Sequence, residues 1–324
     1  MADVKIVRAL ALILGLGGWT LPTAPLLAGD DMPDAAQCLK KKNDPNPEAS
    51  IGSCNSLIED GSLSQQELAD ALYTRGRIRA ELGDHARAIS DFDEALRADP
   101  EFAKAHNARA GIYADLGLVE EAIADYGDAL KIDPLYSTAI HNRGIAYHQK
   151  GEVALAIADY SAAIQIDSES DLYLTNRGAA FADLGDHFGA IADYNAALKI
   201  STNAPDTYNN RGFSYLHLGW VENAIEDFDR AISLNPADPL YLNNRGTAHA
   251  LQSSWVKARE DFEAALQINP DDGAAMYGLG IISYLDGREE EGLAMMKRAI
   301  SIDPQAGQDF HSLGLLWQSI DIGG

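Results

Sequence analysis

The feature that most constrains this chain is a period of 34 residues that runs from residue 69 to residue 306. Proline recurs at this spacing, and Ser168 and Thr202 stand at the two steps where proline is missing. The prolines are Pro100, Pro134, Pro236, Pro270 and Pro304. An unbroken period of this length is typical of stacked helical repeats. We number each repeat from 1 to 34, beginning at residues 69, 103, 137, 171, 205, 239 and 273.

Small and large residues recur at fixed positions of the period. Position 8 is Gly in every repeat except the second, which has Ala110, and position 20 is Ala in every repeat except the last, which has Gly292. Position 24 is aromatic except at Met296. These positions predict two closely packed helices in each repeat. Gly at position 15, replaced only by Ser253, predicts the turn between them, and Pro at position 32 predicts the end of the second helix.

This pattern resembles the tetratricopeptide repeat (TPR) family, in an exported bacterial form, and it covers residues 69–306 without a gap. The resemblance implies an all-α fold, a right-handed α-solenoid of about seven TPR helix pairs. The expected TPR units are 69–102, 103–136, 137–170, 171–204, 205–238, 239–272 and 273–306.

Both ends of the repeat array carry segments that the resemblance interprets as caps. Residues 307–324 contain one more amphipathic pattern, which resembles the capping helix that covers the last repeat of TPR arrays. Residues 29–68 stand where an amino-terminal cap is needed, and we expect a cap hairpin there.

The first 28 residues resemble a signal peptide. Lys5 and Arg8 precede an apolar run at residues 9–19, and Ala28 precedes an acidic stretch. This predicts a periplasmic or secreted protein, with an uncleaved anchor as the alternative. In an oxidising compartment, Cys38 and Cys54 would form a disulfide across the hairpin. Two free buried thiols in a cytosolic protein are the alternative.

The charge of the chain restricts its partners. There are 49 acidic and 25 basic side chains, which gives a formal net charge of −24. Nucleic acid is excluded as a partner because phosphate contacts need clustered Lys and Arg. We interpret the acidity as a solvated outer face that keeps a large helical surface soluble.

Arginine and aspartate recur together. Arg occupies position 7 and Asp occupies position 23 in the first six repeats, and in the seventh Leu279 and Met295 replace both. Two residues that are replaced in the same repeat are expected to be in contact with each other. We therefore predict an Arg–carboxylate pair between the two helices of each of the six repeats. An Arg-rich binding stripe is the alternative.

The resemblance implies that the first helices line an inner groove, and asparagines occupy positions 5 and 6 of those helices. They are Asn107, Asn142, Asn176, Asn209, Asn210, Asn243 and Asn244. Carboxamides in a row can donate to and accept from the amides of an extended peptide, whatever its side chains. The row resembles the asparagine ladder of a known TPR superhelix. Alternatively, Asn simply suits the helix interior in this type of repeat.

Apolar residues appear at the groove positions of the last three repeats. Phe213, Leu216, Tyr277 and Tyr284 are candidate hot spots for a partner's side chains, although some could pack between repeats. The basic residues of a carboxylate clamp are missing, since only Lys104 and Arg77 are suitably placed.

Catalytic and metal-binding motifs are not apparent. His141 and His148 lie two helical turns apart, about 10 Å, which is too far to chelate one ion. Most histidines are predicted to face solvent. Without a zinc-protease motif, a nucleophile elbow or a phosphate loop, we expect no enzyme activity, no cofactor and no metal.

The expected function is a non-catalytic protein–protein interaction scaffold that binds a polypeptide segment in the concave TPR groove. The alternatives are an assembly factor or regulatory subunit of an envelope enzyme complex, and a structural homo-oligomer.

Overall fold

A computed structural model of the chain describes residue 38 and residues 47–306. These residues form fifteen α-helices and no strand, so the all-α prediction is confirmed. They fall into two compact units, with the boundary between Ser168 and Glu169. The predicted signal peptide (1–28), the predicted capping helix (307–324) and most of residues 29–46 lie outside the described residues.

The amino-terminal unit contains seven helices. They are α1 (Pro47–Asp60), α2 (Gln65–Glu81), α3 (His85–Ala98), α4 (Ala103–Asp115), α5 (Val119–Ile132), α6 (Ser137–Lys150) and α7 (Val153–Ile166). Helices α2 to α7 form three hairpins, α2 with α3, α4 with α5 and α6 with α7, and α1 packs against α2. The first helices α2, α4 and α6 also contact their neighbours in this series, so they form a continuous row.

The carboxy-terminal unit contains eight helices. They are α8 (Asp171–Asp183), α9 (His187–Ile200), α10 (Pro205–His217), α11 (Val221–Leu234), α12 (Pro239–Leu251), α13 (Trp255–Ile268), α14 (Gly273–Leu285) and α15 (Glu289–Ile302). They form four hairpins in chain order. The first helices α8, α10, α12 and α14 again form a row of neighbours in contact.

Close packing of positions 8 and 24 holds each hairpin together, as predicted. Tyr160 and Tyr194 are completely buried. A Cβ added at Gly144 or Gly178 would lie only 2.7 Å from Cε1 of the tyrosine in the same repeat. Glycine at position 8 therefore leaves room for the ring, and the two helices can approach each other closely.

The turns between the paired helices need a left-handed backbone. Gly151, for example, has φ of 82°, and the other glycines at position 15 are similar. Ser253 takes the same conformation with φ of 56°. Since a side chain costs about 1–2 kcal/mol in this region, Ser253 is a strained exception imposed by the repeat geometry.

Each second helix ends at position 30, two residues before the position of the repeating proline. Most of these ends fit the prediction, because proline removes a donor and disfavours helical backbone in the residue before it. Helices α7 and α9 end at the same position, at Ile166 and Ile200, although Ser168 and Thr202 replace proline there. These two helices thus end at the common position without a proline.

Helix α2 begins at Gln65, four residues before the predicted start of the first repeat. Ser64 explains the earlier start because it forms a capping box with Glu67. The backbone N–H of Ser64 donates to Glu67 Oε2 at 2.8 Å, and the backbone N–H of Glu67 donates to Ser64 Oγ at 3.3 Å. Two of the free N–H groups at the helix start are satisfied in this way.

The two cysteines meet in the amino-terminal unit. Cys38 and Cys54 are buried thiols in one apolar cluster with Ala71. Their side chains are hydrogen-bonded, which lowers the pKa of Cys38 and, together with burial, raises the pKa of Cys54. The structure holds both cysteines as free thiols in contact, and the disulfide between them stays a prediction.

Among the helices of the described residues, none is both long and apolar enough to cross a bilayer.

Candidate functional site

The predicted Arg–Asp pairs are present in all six repeats. In the fourth repeat, Arg177 Nε donates to Asp193 Oδ2 at 2.7 Å and Arg177 Nη2 donates to Asp193 Oδ1 at 2.8 Å. The other pairs are Arg75–Asp91, Arg109–Asp125, Arg143–Asp159, Arg211–Asp227 and Arg245–Asp261. The aspartates are buried and the guanidiniums are mostly covered. These arginines therefore join the two helices of a hairpin, and the prediction of six internal pairs is confirmed.

Several of these arginines also reach the preceding repeat. Arg211 Nη1 donates to Asn195 Oδ1 at 2.6 Å, and Arg245 Nη1 donates to Asp229 Oδ1 at 2.6 Å. Arg109 pairs in the same way with Asp93. Each such contact links one hairpin to the next. Because these guanidiniums have their acceptors within the fold, the alternative of an Arg-rich binding stripe is not supported.

The asparagines of positions 5 and 6 are all buried, which fits the alternative that Asn suits the helix interior in this type of repeat. The placement holds for Asn107, Asn142, Asn176, Asn209, Asn210, Asn243 and Asn244. Asn244 Nδ2 donates to Asn209 Oδ1 at 2.7 Å, and Asn142 Nδ2 donates to Asn107 Oδ1 at 3.4 Å. Position 6 of one first helix thus bonds to position 5 of the preceding one, so these carboxamides connect neighbouring first helices.

Some carboxamide atoms in the carboxy-terminal unit have no hydrogen-bond partner within the described residues. They are Nδ2 of Asn210 and Oδ1 of Asn243 and Asn244. Asn243 Nδ2, by contrast, donates to both carboxylate oxygens of Asp272, at 3.0 and 2.9 Å. A buried polar atom without a partner costs roughly 1–3 kcal/mol. The row of first helices therefore retains hydrogen-bonding capacity.

The apolar candidates of the groove are mostly part of the core. Phe213, Leu216 and Tyr277 are at most 4% exposed. Leu216 packs with Phe228 in one core cluster, and Tyr277 lies in another. Of the four candidates, only Tyr284 is partly exposed. Most of their surface is therefore covered by neighbouring helices and not offered to a partner.

The histidines differ from the prediction that most face solvent. His141 is completely buried beside Tyr160, with ring centroids 5.4 Å apart, and burial lowers its pKa to about 3. His187 and His217 stack on each other with centroids 4.5 Å apart. Burial and the neighbouring His187 lower the pKa of His217 to about 4. At neutral pH these two rings with low pKa values, His141 and His217, are uncharged, and they contribute to packing.

One cluster of potential metal ligands was missed by the sequence analysis. The ligand atoms of His106, Asp125 and Asp128 lie within 4.8 Å of one another. The two oxygens of Asp125 already accept hydrogen bonds from Arg109, at 2.6 and 2.7 Å, and one of them contacts His106 Nδ1 at 2.8 Å. Burial raises the pKa of Asp125, but these hydrogen bonds outweigh it and hold the pKa below its usual value. The adjacent guanidinium of Arg109 repels a metal cation. We therefore assign the cluster to the Arg109–Asp125 ion pair and not to a metal site.

Comparison with known proteins gives the same family as the repeat pattern. Sequence models described as tetratricopeptide repeat match residues 73–139, 205–238 and 250–314, and a TPR repeat model matches residues 144–185 and 180–219. The chain belongs to the tetratricopeptide repeat family. Repeats of this family serve as protein-interaction modules, so the class of protein is a protein–protein interaction scaffold. No curated protein sequence matches the chain.

Solved structures agree on the fold. A tetratricopeptide repeat protein from Parabacteroides merdae has a TM-score of 0.62 and 19% identity, over 77% of this chain and 99% of that one. The Cut9–Hcn1 hetero-tetramer of the APC/C has a TM-score of 0.62 and 16% identity, over 83% of this chain and 53% of the matched chain. PilF of Pseudomonas aeruginosa has a TM-score of 0.56 and 18% identity, over 65% of this chain and 96% of the PilF chain. At these identities the similarity establishes the fold alone.

Proposed function

We propose that this chain is a non-catalytic scaffold that holds an extended segment of another protein along the first helices of its carboxy-terminal unit. The observation that carries the proposal is the set of buried carboxamide atoms on Asn210, Asn243 and Asn244 that have no partner among residues 47–306. One of these atoms is a donor and two are acceptors. A peptide backbone offers both complementary groups at every residue, so it can satisfy them without regard to sequence.

The burial of these asparagines restricts how the contact forms. Asn210 is 3% exposed and Asn244 is completely buried. A peptide therefore reaches them through a bridging water or after a carboxamide rotates outward. Either route places the peptide on the first helices, because the asparagines belong to α10 and α12.

The proposal is tested by capturing partners from an extract of the source organism. We expect a variant with Asn142, Asn176, Asn210 and Asn244 all changed to Ala to lose partners that the wild type retains. The control changes Glu263 and Gln267 to Ala, because both are exposed on the second helix α13. Identical partner lists for the wild type and the asparagine variant would contradict the proposal.

The single change Asn210→Ala separates binding from folding. It removes a buried donor without a partner within the described residues, so it should lower the melting temperature less than a change that breaks a buried hydrogen bond. Asn244→Ala breaks the bond to Asn209 and should lower the melting temperature. Loss of partner capture by a fully folded Asn210→Ala variant would support a ligand contact at this amide.

We also propose that the protein is exported and that Cys38 and Cys54 are joined in its mature form. Support comes from the basic and apolar pattern of residues 1–28 and from the contact between the two buried thiols. The expected result is a mature protein that begins after Ala28 and has no reactive thiol until it is reduced. Two thiols that react without reduction in the unfolded exported protein would disprove the pairing.

A further inference from the structure

Two exposed aromatic residues lie side by side at the turns of the carboxy-terminal unit. Phe188 is 65% exposed and Trp220 is 43% exposed. Their rings are in edge contact, with centroids 5.9 Å apart, and the partly exposed ring of Tyr215 lies 5.7 Å from that of Trp220. We call these three residues the aromatic edge. Phe188 and Trp220 lie at the starts of the second helices α9 and α11, and Tyr215 lies in the last turn of the first helix α10.

The fold does not require aromatic residues at these places. Phe188 occupies position 18, which holds small, acidic or β-branched residues in the other repeats, namely Ala86, Glu120, Ala154, Glu222, Val256 and Glu290. Trp220 is the N-cap residue of α11 and makes no side-chain capping bond. At the same position one repeat earlier, Asp186 caps α9 by accepting from the N–H of Gly189 at 2.9 Å. Helix α11 therefore has an exposed tryptophan at the position where α9 has a capping aspartate.

The charged groups around the aromatic edge are mainly acidic. The guanidinium of Arg211, which lies 5.8 Å from the centroid of the Tyr215 ring, is bonded to Asp227. Residues 181–190 and 215–226 contain four acidic residues and no Lys or Arg. The acidic residues are Asp183, Asp186, Glu222 and Glu226, and all four are at least partly exposed. His187, next to Phe188 in the chain, stacks on His217, and burial lowers the pKa of both histidines. The surface is thus apolar at its centre and negative at its rim.

We propose that the aromatic edge is a second docking surface, and that its occupant is a basic amphipathic helix of a partner protein. Exposed Trp and Phe supply the apolar anchors that dominate binding energy at interfaces. The acidic rim selects Lys and Arg around the apolar stripe of the partner. The two rings touch each other, with centroids 5.9 Å apart, and form one continuous apolar patch that the apolar stripe of a helix can cover. An anionic membrane surface is repelled by the same rim.

The test uses a labelled 18-residue peptide of Leu and Lys whose order forms an amphipathic helix, with fluorescence anisotropy as the measurement. A peptide of the same composition in scrambled order controls for charge alone. The variant Phe188→Glu with Trp220→Asp places at both positions residues that the repeats themselves use. It adds negative charge and provides a cap, so the melting temperature should not fall. We expect the amphipathic peptide to bind the variant at least tenfold more weakly than the wild type.

The matched control is Leu118→Asp, since Leu118 is the N-cap residue of α5 in the amino-terminal unit and also makes no capping bond. It should leave the affinity unchanged. Equal affinity of the double variant and the wild type would overturn the proposal, as would equal binding of the scrambled peptide. A wild-type dimer that the double variant abolishes in sedimentation would assign the surface to a second copy. Loss of binding to phosphatidylcholine vesicles in the variant would assign it to lipid. Either of these last two results would also overturn the proposal.

Discussion

Changing either Arg143 or Asp159 to Ala should destabilise the protein by roughly 3 kcal/mol, because each change leaves an opposite charge in a largely covered site. Arg143 Nε donates to Asp159 Oδ2 at 2.7 Å, and Arg143 Nη2 donates to Asp159 Oδ1 at 2.8 Å. Arg143 suits the experiment because the preceding repeat has Gly127 at position 25, where other repeats place a second acceptor such as Asp93 or Asp229. The pairing with Asp159 is therefore tested almost alone.

The measurement is a double-mutant cycle from urea unfolding. The double change should cost clearly less than the sum of the single changes, with a coupling free energy above about 1 kcal/mol. The seventh repeat provides the control, since it uses Leu279 and Met295 at the same positions. Arg143→Leu combined with Asp159→Met should recover most of the lost stability. Strictly additive single changes would show that the two groups do not stabilise the fold as a pair.

Lowering the pH from 7 to 5 should cost about 2 kcal/mol of folding free energy through His141 alone. Its pKa is about 3 in the folded protein, because the ring is buried, and about 6.5 in the unfolded chain. Between these values only the unfolded chain takes up the proton. The contribution of His141 to stability is therefore complete above pH 6.5 and is lost progressively as the pH falls toward 3.

The contribution of His141 is isolated by comparison with His141→Asn, since Asn is the residue at position 5 in the second, fifth and sixth repeats. The drop in unfolding free energy between pH 7 and pH 5 should be about 2 kcal/mol smaller in this variant. Between pH 7 and pH 8 the two proteins should respond alike. If both lose the same free energy between pH 7 and pH 5, His141 is not the buried neutral group described here.

Much of the packing within the hairpins could be predicted, because all seven repeats use the same contacts between their two helices. Seven copies in one chain act as an internal alignment, so residues in contact vary together, as Leu279 and Met295 do in place of Arg and Asp. The small residue at position 8 and the large one at position 24 are also local to one hairpin. Such contacts lie 16 residues apart and depend only on the turn between two helices.

The candidate site was harder to predict because exposure depends on the neighbouring repeat. The sequence placed the asparagines on the first helices, and the structure buries all of them and bonds Asn142 to Asn107 and Asn244 to Asn209 across neighbouring first helices. Phe213 and Tyr277 are buried as well.

By itself, the sequence determined the family and the 34-residue period, because the pattern recurs in seven copies, and the Arg–Asp pairs, because their contacts lie within one repeat. Only the tertiary structure decided which polar groups are covered, that His141 is buried, and that Phe188 and Trp220 share one exposed edge. It also decided that α7 and α9 end without proline. These outcomes depend on packing against other helices and other repeats, which a pattern within one repeat does not record.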